Sequence, residues 1–175
     1  MKCLAIGGVP ATGKTTLMKM IINQIKPKQS FKFGLLRGYI KDNTAILGIY
    51  KKGEVFAGTD KLSMAVQKDF DIYVDRKAFN ISFEGDRLFT GNNLKNLTTK
   101  YNTRIIILDA DEETLKQRHI NRGDNQSETF LRSRNTKIKN ILEIKELEPC
   151  TEHYKLLTEK DSTKLANELS KWLVF

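Results

Sequence analysis

Gly8-Val9-Pro10-Ala11-Thr12-Gly13-Lys14-Thr15 meets the pattern G-x-x-x-x-G-K-[ST] at every position. Its flanks decide how it is read. The apolar run over residues 2–9 predicts a buried strand. Residues 14–25 set Leu17, Met20, Ile21, Ile22 and Ile25 at helical spacing, with Pro27 as the stop. A glycine turn between a strand and the start of a helix gathers backbone N–H groups on one concave side, which suits an anion. Gly8, Ala11, Thr12, Gly13 and Thr16 are the expected lining. Lys14 supplies a point charge for β- and γ-phosphates, and Thr15 offers a hydroxyl to Mg²⁺. This loop implies a bound nucleoside triphosphate.

Outward from the loop, strand and helix patterns alternate. Residues 33–50 read as a hairpin, with Leu35–Ile40 and Ala45–Tyr50 flanking the turn Lys41-Asp42-Asn43-Thr44. Residues 79–84 and 104–109 are further strands. After the second of them, Asp109 or Asp111 caps a helix with Glu112 and Glu113 in its first turn, favourable at the positive dipole end. A break at Gly123-Asp124-Asn125-Gln126 precedes a helix capped by Ser127 and running toward Pro149. Residues 154–157 make a last strand, followed by a helix from about Asp161 with Leu165, Leu169 and Leu173 on one face. The alternation predicts a three-layer α/β domain on a mostly parallel sheet, with the hairpin outside the parallel order or at a sheet edge.

Chemistry on a bound triphosphate needs a carboxylate for the metal and cations for migrating charge. Phe83-Glu84-Gly85-Asp86-Arg87 follows an apolar strand and supplies both; either Glu84 or Asp86 faces the metal. Arg118 and Arg122 lie four apart and share a helix face, with Arg132 and Arg134 beyond the break. A second substrate has two possible chemistries. A phosphate is held by arginine forks, for which Arg37 and Arg87 are candidates. A hydroxyl needs a carboxylate to take its proton, for which Asp60, or whichever of Glu84 and Asp86 does not serve the metal, is a candidate. Gly58-Thr59-Asp60 is equally a plain helix-start turn. His119 and His153 fall outside any ligand or triad spacing.

The order of loop, Glu84/Asp86 strand, arginine helix-break-helix and closing strand-helix resembles the nucleoside monophosphate kinase-like group of P-loop kinases. Gly58-Thr59-Asp60-Lys61-Leu62-Ser63, Phe83-Glu84-Gly85-Asp86-Arg87-Leu88 and Phe130-Leu131-Arg132-Ser133-Arg134 are similar to phage-type kinases of nucleotides or of 5-hydroxymethyluracil in DNA. The resemblance implies one P-loop kinase domain over residues 1–175, with a five-stranded core of order 2-3-1-4-5, an added hairpin at about 33–50 and a helical lid at about 115–135. It implies ATP and Mg²⁺ as donor pair. Catalytic roles then fall on Lys14, Glu84, Asp86, Arg118 and Arg122, and acceptor contacts on Arg37, Asp60, Arg87, Arg132 and Arg134. The implied acceptor is a nucleotide or a nucleobase hydroxyl, free or in DNA.

Composition sets the remaining bounds. The chain has 175 residues, 39% hydrophobic and 29% charged, which suffices for a core without disulfide staples. Cys3 and Cys150 match no metal spacing and predict a reduced, cytoplasmic chain, and no signal peptide or membrane span is expected. The net charge is +9. All of it sits in residues 1–52, which carry ten cationic side chains and one acidic one, while the remainder carries twenty of each sign. Such a local excess points to a polyanion near that end, with Phe31, Phe33, Tyr39 and Tyr50 interleaved for stacking or for cross-strand packing. Two rivals stay open: an ATPase that drives a partner, and a nucleotide-dependent DNA-binding module without a phosphoryl acceptor.

Overall fold

The computed structural model describes residues 1–51, 54, 57–123, 126–156 and 158–175, and for Arg122 the backbone alone. In chain order the elements are β1 (Lys2–Gly7), α1 (Lys14–Ile25), β2 (Gln29–Phe33), β3 (Leu36–Lys41), β4 (Thr44–Leu47), α2 (Gln67–Asp75), β5 (Asn80–Glu84), α3 (Gly91–Lys100), β6 (Asn102–Asp109), α4 (Glu112–Arg122), α5 (Glu128–Leu142), β7 (Thr151–Lys155) and α6 (Glu159–Val174). Short 3₁₀ turns occupy Thr59–Lys61 and Lys145–Cys150.

Strand alternation builds the layers. In β1, Cys3 and Ala5 face one side of the sheet while Leu4 and Ile6 face the other; β6 repeats this with Ile105 and Ile107 against Ile106 and Leu108. Strands apolar on both sides must be covered twice. Leu17, Met18 and Ile21 of α1 and Leu165, Leu169 and Leu173 of α6 cover the Leu4 face. Phe70 and Val74 of α2, Leu94 and Leu97 of α3, and Ile138 and Ile141 of α5 cover the Cys3 face. Cys3 lies buried in that core, and both cysteines are free thiols. None of the described helices is long and apolar enough to cross a membrane.

The sheet has seven strands in the order β2-β3-β4-β5-β1-β6-β7, which corrects the expected five. Strands β4, β5, β1, β6 and β7 run parallel to their neighbours in that series. Counted alone in chain order, these five read 2-3-1-4-5. The correction concerns the hairpin. Its second arm is β4, which pairs antiparallel with β3 and parallel with β5, so it belongs to the parallel core instead of lying outside it. Gln29–Phe33 adds the outermost strand, pairing Lys32 with Arg37 and Phe31 with Gly38.

Helix ends follow local chemistry. Asp111 accepts from the Thr114 amide at 2.8 Å to start α4, and Ser127 accepts from Phe130 at 3.2 Å to start α5. At α6, Thr158 and Asp161 form a reciprocal capping box. The loops that matter lie at the carboxyl end of the parallel strands, where β1 and β5 deliver Gly8 and Glu84, and where Gly58 is bridged to Ile49 after β4.

Candidate active site

Geometry at the first loop begins with Gly8, whose φ is +135°; a Cβ there would lie 2.2 Å from the Leu108 carbonyl oxygen. Thr12 donates to the Val9 carbonyl at 2.9 Å and pins the turn from within. Ala11 sits at φ 65° and is 3% exposed, a left-handed conformation that a side chain adopts only when its surroundings enforce it. Gly13 then opens α1 at φ 101°, with no side-chain cap on the helix. The leading N–H groups of α1 therefore face the loop uncapped. Lys14 folds over the same concavity, donating to the Gly8 and Val9 carbonyls at 2.7 and 2.8 Å.

At the second residue of the helix, the Thr15 hydroxyl donates to Glu84 Oε1 at 3.1 Å. Glu84 ends β5 on the face that also carries Ser82, whose hydroxyl contacts Met18 of α1, so the strand aims the carboxylate at α1. It is 2% exposed. Gly58 lies against it: at φ 78°, a Cβ there would come within 2.3 Å of Oε1. Thr59 ties down the backbone beneath, donating to the Glu84 and Gly85 carbonyls at 3.0 and 3.2 Å. Burial pushes the Glu84 carboxyl up to about 7, opposed by the Lys14 ammonium, reinforced by Asp60, opposed by the Thr15 hydroxyl and reinforced by Asp86.

Asp86 turns elsewhere. Arg134 Nε lies 2.7 Å from its Oδ2, and the Lys137 ammonium lies 3.8 Å from its Oδ1 while donating to its backbone carbonyl at 2.6 Å. The sequence left the metal-facing carboxylate open between Glu84 and Asp86. The structure brings Glu84 to Thr15 and gives Asp86 to α5. Arg134 also stacks over the Phe130 ring at 4.5 Å, so one face of α5 closes on the turn after β5. Arg132, by contrast, is exposed.

Asp60 and Arg87 meet directly. The Arg87 amide donates to Asp60 Oδ1 at 2.9 Å, and its Nη2 donates to the Asp60 carbonyl at 3.1 Å. Arg87 Nη1 rests on the sulfur of Met64, which is 84% exposed. Arg37 is not part of this cluster; it sits on β3, exposed, two strands removed from β5. Its face also carries Lys32, Tyr39 and Lys41 by register and alternation. Phe31 and Phe33 point the opposite way, Phe31 stacked on Tyr73 at 5.4 Å, so packing accounts for them. Tyr39 and Tyr50 stay on the cationic face with ring centroids 6.4 Å apart, and the Tyr39 hydroxyl bonds both backbone groups of Tyr50 at 3.3 Å. Lys52 lies outside the described residues.

Arg118 of α4 spans the loop and the segment after β7, donating to the Ala11 carbonyl and the Leu156 carbonyl, each at 3.1 Å. With Ala11, Thr12, Gly13, Thr16, Leu156 and Ser162 it lines a cavity of about 240 Å³ beside the start of α1. The Arg122 side chain and the break residues Asp124 and Asn125 lie outside the described residues. Sequence reasoning missed Lys137, Gly58 and Thr59 as parts of the cluster. The spacing of Phe130, Arg134 and Lys137, four and then three apart, was the one signal available for Lys137.

No protein-family model matches the chain, and no curated protein matches it. Among solved structures the chain is similar to shikimate kinase from Acinetobacter baumannii in complex with shikimate, at 14% identity and a TM-score of 0.47, over 99% of this chain and 92% of that one.

Proposed function

We propose that the protein is a small ATP-dependent kinase that moves the γ-phosphoryl group of ATP·Mg to a hydroxyl on a nucleotide or nucleobase. The observation that carries this reading is the approach of Thr15 and Glu84, 3.1 Å apart, beneath a loop that meets the phosphate-binding pattern throughout. Hydroxyl and carboxylate are the hard oxygen donors that Mg²⁺ prefers, and Gly58 leaves room around the carboxylate. Thr15 and Glu84 would hold Mg²⁺, which would supply positive charge to offset that of the phosphates. The loop amides and the start of α1 hold phosphate oxygens, and Lys14 exchanges its two carbonyl partners for them. Arg118, with the cavity beside it, takes the nucleoside end and closes the site from α4.

A hydroxyl acceptor fits the cluster better than a phosphate. Arg87 and Arg134, which would clamp a phosphate, are engaged with Asp60, Met64 and Asp86. Asp60 is exposed and held at one oxygen by an amide, which orients the carboxylate to meet an acceptor hydroxyl. The exposed cations on the Arg37 face, with Tyr39 beside them, support an acceptor attached to a nucleic-acid strand.

The test is incubation with γ-labelled ATP, Mg²⁺, a panel of nucleotides and hydroxymethylated nucleosides, and duplex DNA with or without hydroxymethylated bases. Label in a small molecule identifies a metabolic kinase, and label in DNA a base kinase. Free phosphate with no labelled acceptor overturns the kinase reading in favour of an ATPase. Lys14→Ala is expected to abolish transfer.

A further inference from the structure

We infer that Lys137 is a positioning residue for Asp60, acting through the single peptide group that joins Asp86 to Arg87. The inference rests on the reading of Asp60 as proton acceptor. Lys137 donates to the Asp86 carbonyl oxygen at 2.6 Å, and the amide at the other end of that same peptide, Arg87 N–H, donates to Asp60 Oδ1 at 2.9 Å. A peptide's C=O and N–H are conjugated. A cation on the oxygen draws density from the nitrogen, so the N–H becomes a stronger donor, and hydrogen bonds in such a chain reinforce one another by about 10–30% each. Both terminal bonds also have a charged partner, which shortens and strengthens them.

The surroundings favour this relay over a simple staple between α5 and the turn. Arg134, one helical turn before Lys137, takes the Asp86 carboxylate at 2.7 Å, whereas the Lys137 ammonium stands 3.8 Å from that carboxylate and closest to the carbonyl. The two cations therefore divide the residue, one holding the side chain and one the backbone. Arg87 adds a second restraint from Nη2 to the Asp60 carbonyl. Asp60 is thereby fixed at Oδ1, leaving Oδ2 for an acceptor hydroxyl. Because Lys137 belongs to α5, the orientation of the base depends on how α5 is seated. Lys137 also lines an open cleft of about 470 Å³ with Thr90, Gly91, Ser133 and Asn140, so seating of α5 is exposed to whatever enters beside it.

The test compares wild type with Lys137→Met and Lys137→Arg, each checked by thermal melting. Amide hydrogen exchange, read by NMR on the protein alone, is expected to accelerate about tenfold at Arg87 in Lys137→Met, the loss of roughly 1.4 kcal/mol of hydrogen bonding, while Phe83 and Leu94 stay protected. Lys137→Arg, which still donates, keeps most of the protection. In the transfer assay, with whichever panel member takes label, Lys137→Met lowers kcat about tenfold and leaves the KM for ATP unchanged. In an Asp60→Asn background the same change costs nothing further. Unaltered Arg87 exchange in Lys137→Met overturns the relay. Independent, multiplying losses from Lys137→Met and Asp60→Asn overturn its action through Asp60. An Asp60→Asn variant that transfers at the wild-type rate overturns the base assignment itself, and the exchange measurement then judges the relay separately.

Discussion

At Glu84 the demands of folding and of the proposed Mg²⁺ site oppose each other. Its carboxyl is pushed up to about 7 mainly by burial, so between the ordinary carboxylate range and pH 7 the folded chain holds a proton that the unfolded chain has released. Stability of the free protein from this group is therefore full at low pH and declines as pH rises toward 7, by on the order of 2–3 kcal/mol. Glu84→Gln removes the decline. The variant is expected to melt roughly 5 °C or more above wild type at pH 8 without nucleotide, and to match it near pH 4.5, while losing Mg²⁺-dependent transfer. Scanning calorimetry at both pH values checks this, and an equal or lower melting point at pH 8 would show that burial does not hold the proton. Lys14, Thr15 and Glu84 were legible in the sequence because each is a chemical type at a fixed place beside a strand end. Lys137 was not, because its partner is a backbone carbonyl, and any residue presents one.

Among the elements, β7 joins the sheet through a charged network as well as backbone bonds. Arg104 of β6 grips Glu152 of β7 with two bonds of 2.6 Å, reaches Glu168 of α6 at 2.7 Å and lies over the Trp172 ring at 5.4 Å. Hydrogen bonds from Arg104 hold the Glu152 carboxyl below its usual range. Its contribution is thus present at neutral pH and lost as pH falls through the lowered value. Glu152→Gln is expected to destabilise the protein by about 1 kcal/mol at pH 7 and by nothing measurable near pH 2, as urea titrations at the two pH values would show. The contrast with Glu84 lies in environment alone. The same polar character hid the strand's limits: Thr151-Glu152-His153-Tyr154-Lys155 has no apolar run, so the expected strand was drawn to residues 154–157. Strands β1, β5 and β6 are buried on both faces and therefore legible as apolar runs. Helices α2 and α3 escaped notice because only three or fewer side chains of each are buried beneath a polar exterior. The polar residues Gln29, Ser30 and Lys32 of β2 hid a strand whose apolar side is Phe31 and Phe33.

Over the whole molecule, four of the ten cations behind the +9 charge fall in two places. Lys14 lies in the loop, while Lys32, Arg37 and Lys41 share the α1-side face of the outer strands. If that face holds a nucleic-acid backbone, each contact releases counterions, and affinity for duplex DNA falls steeply with salt. The double change Lys32→Glu with Arg37→Glu is expected to flatten the salt dependence by about two in slope and to weaken binding at least about tenfold at low salt. ATP binding, measured in the same samples, stays unchanged. A slope unaffected by the double change would remove that face from the contact.

Strand β4 has a further consequence for how such a chain can be shortened or elaborated. It is bonded on both edges, to β3 in one sense and to β5 in the other. The outer strands are thus not a module that evolution or an engineer can trim. Excising residues 29–43 would bare the edge of β4 next to β5 and remove Leu36 from the core, leaving an open template for chain-to-chain pairing. On that side the free margin of the sheet is instead β2, already guarded by lysine, and growth of the domain has room to begin there.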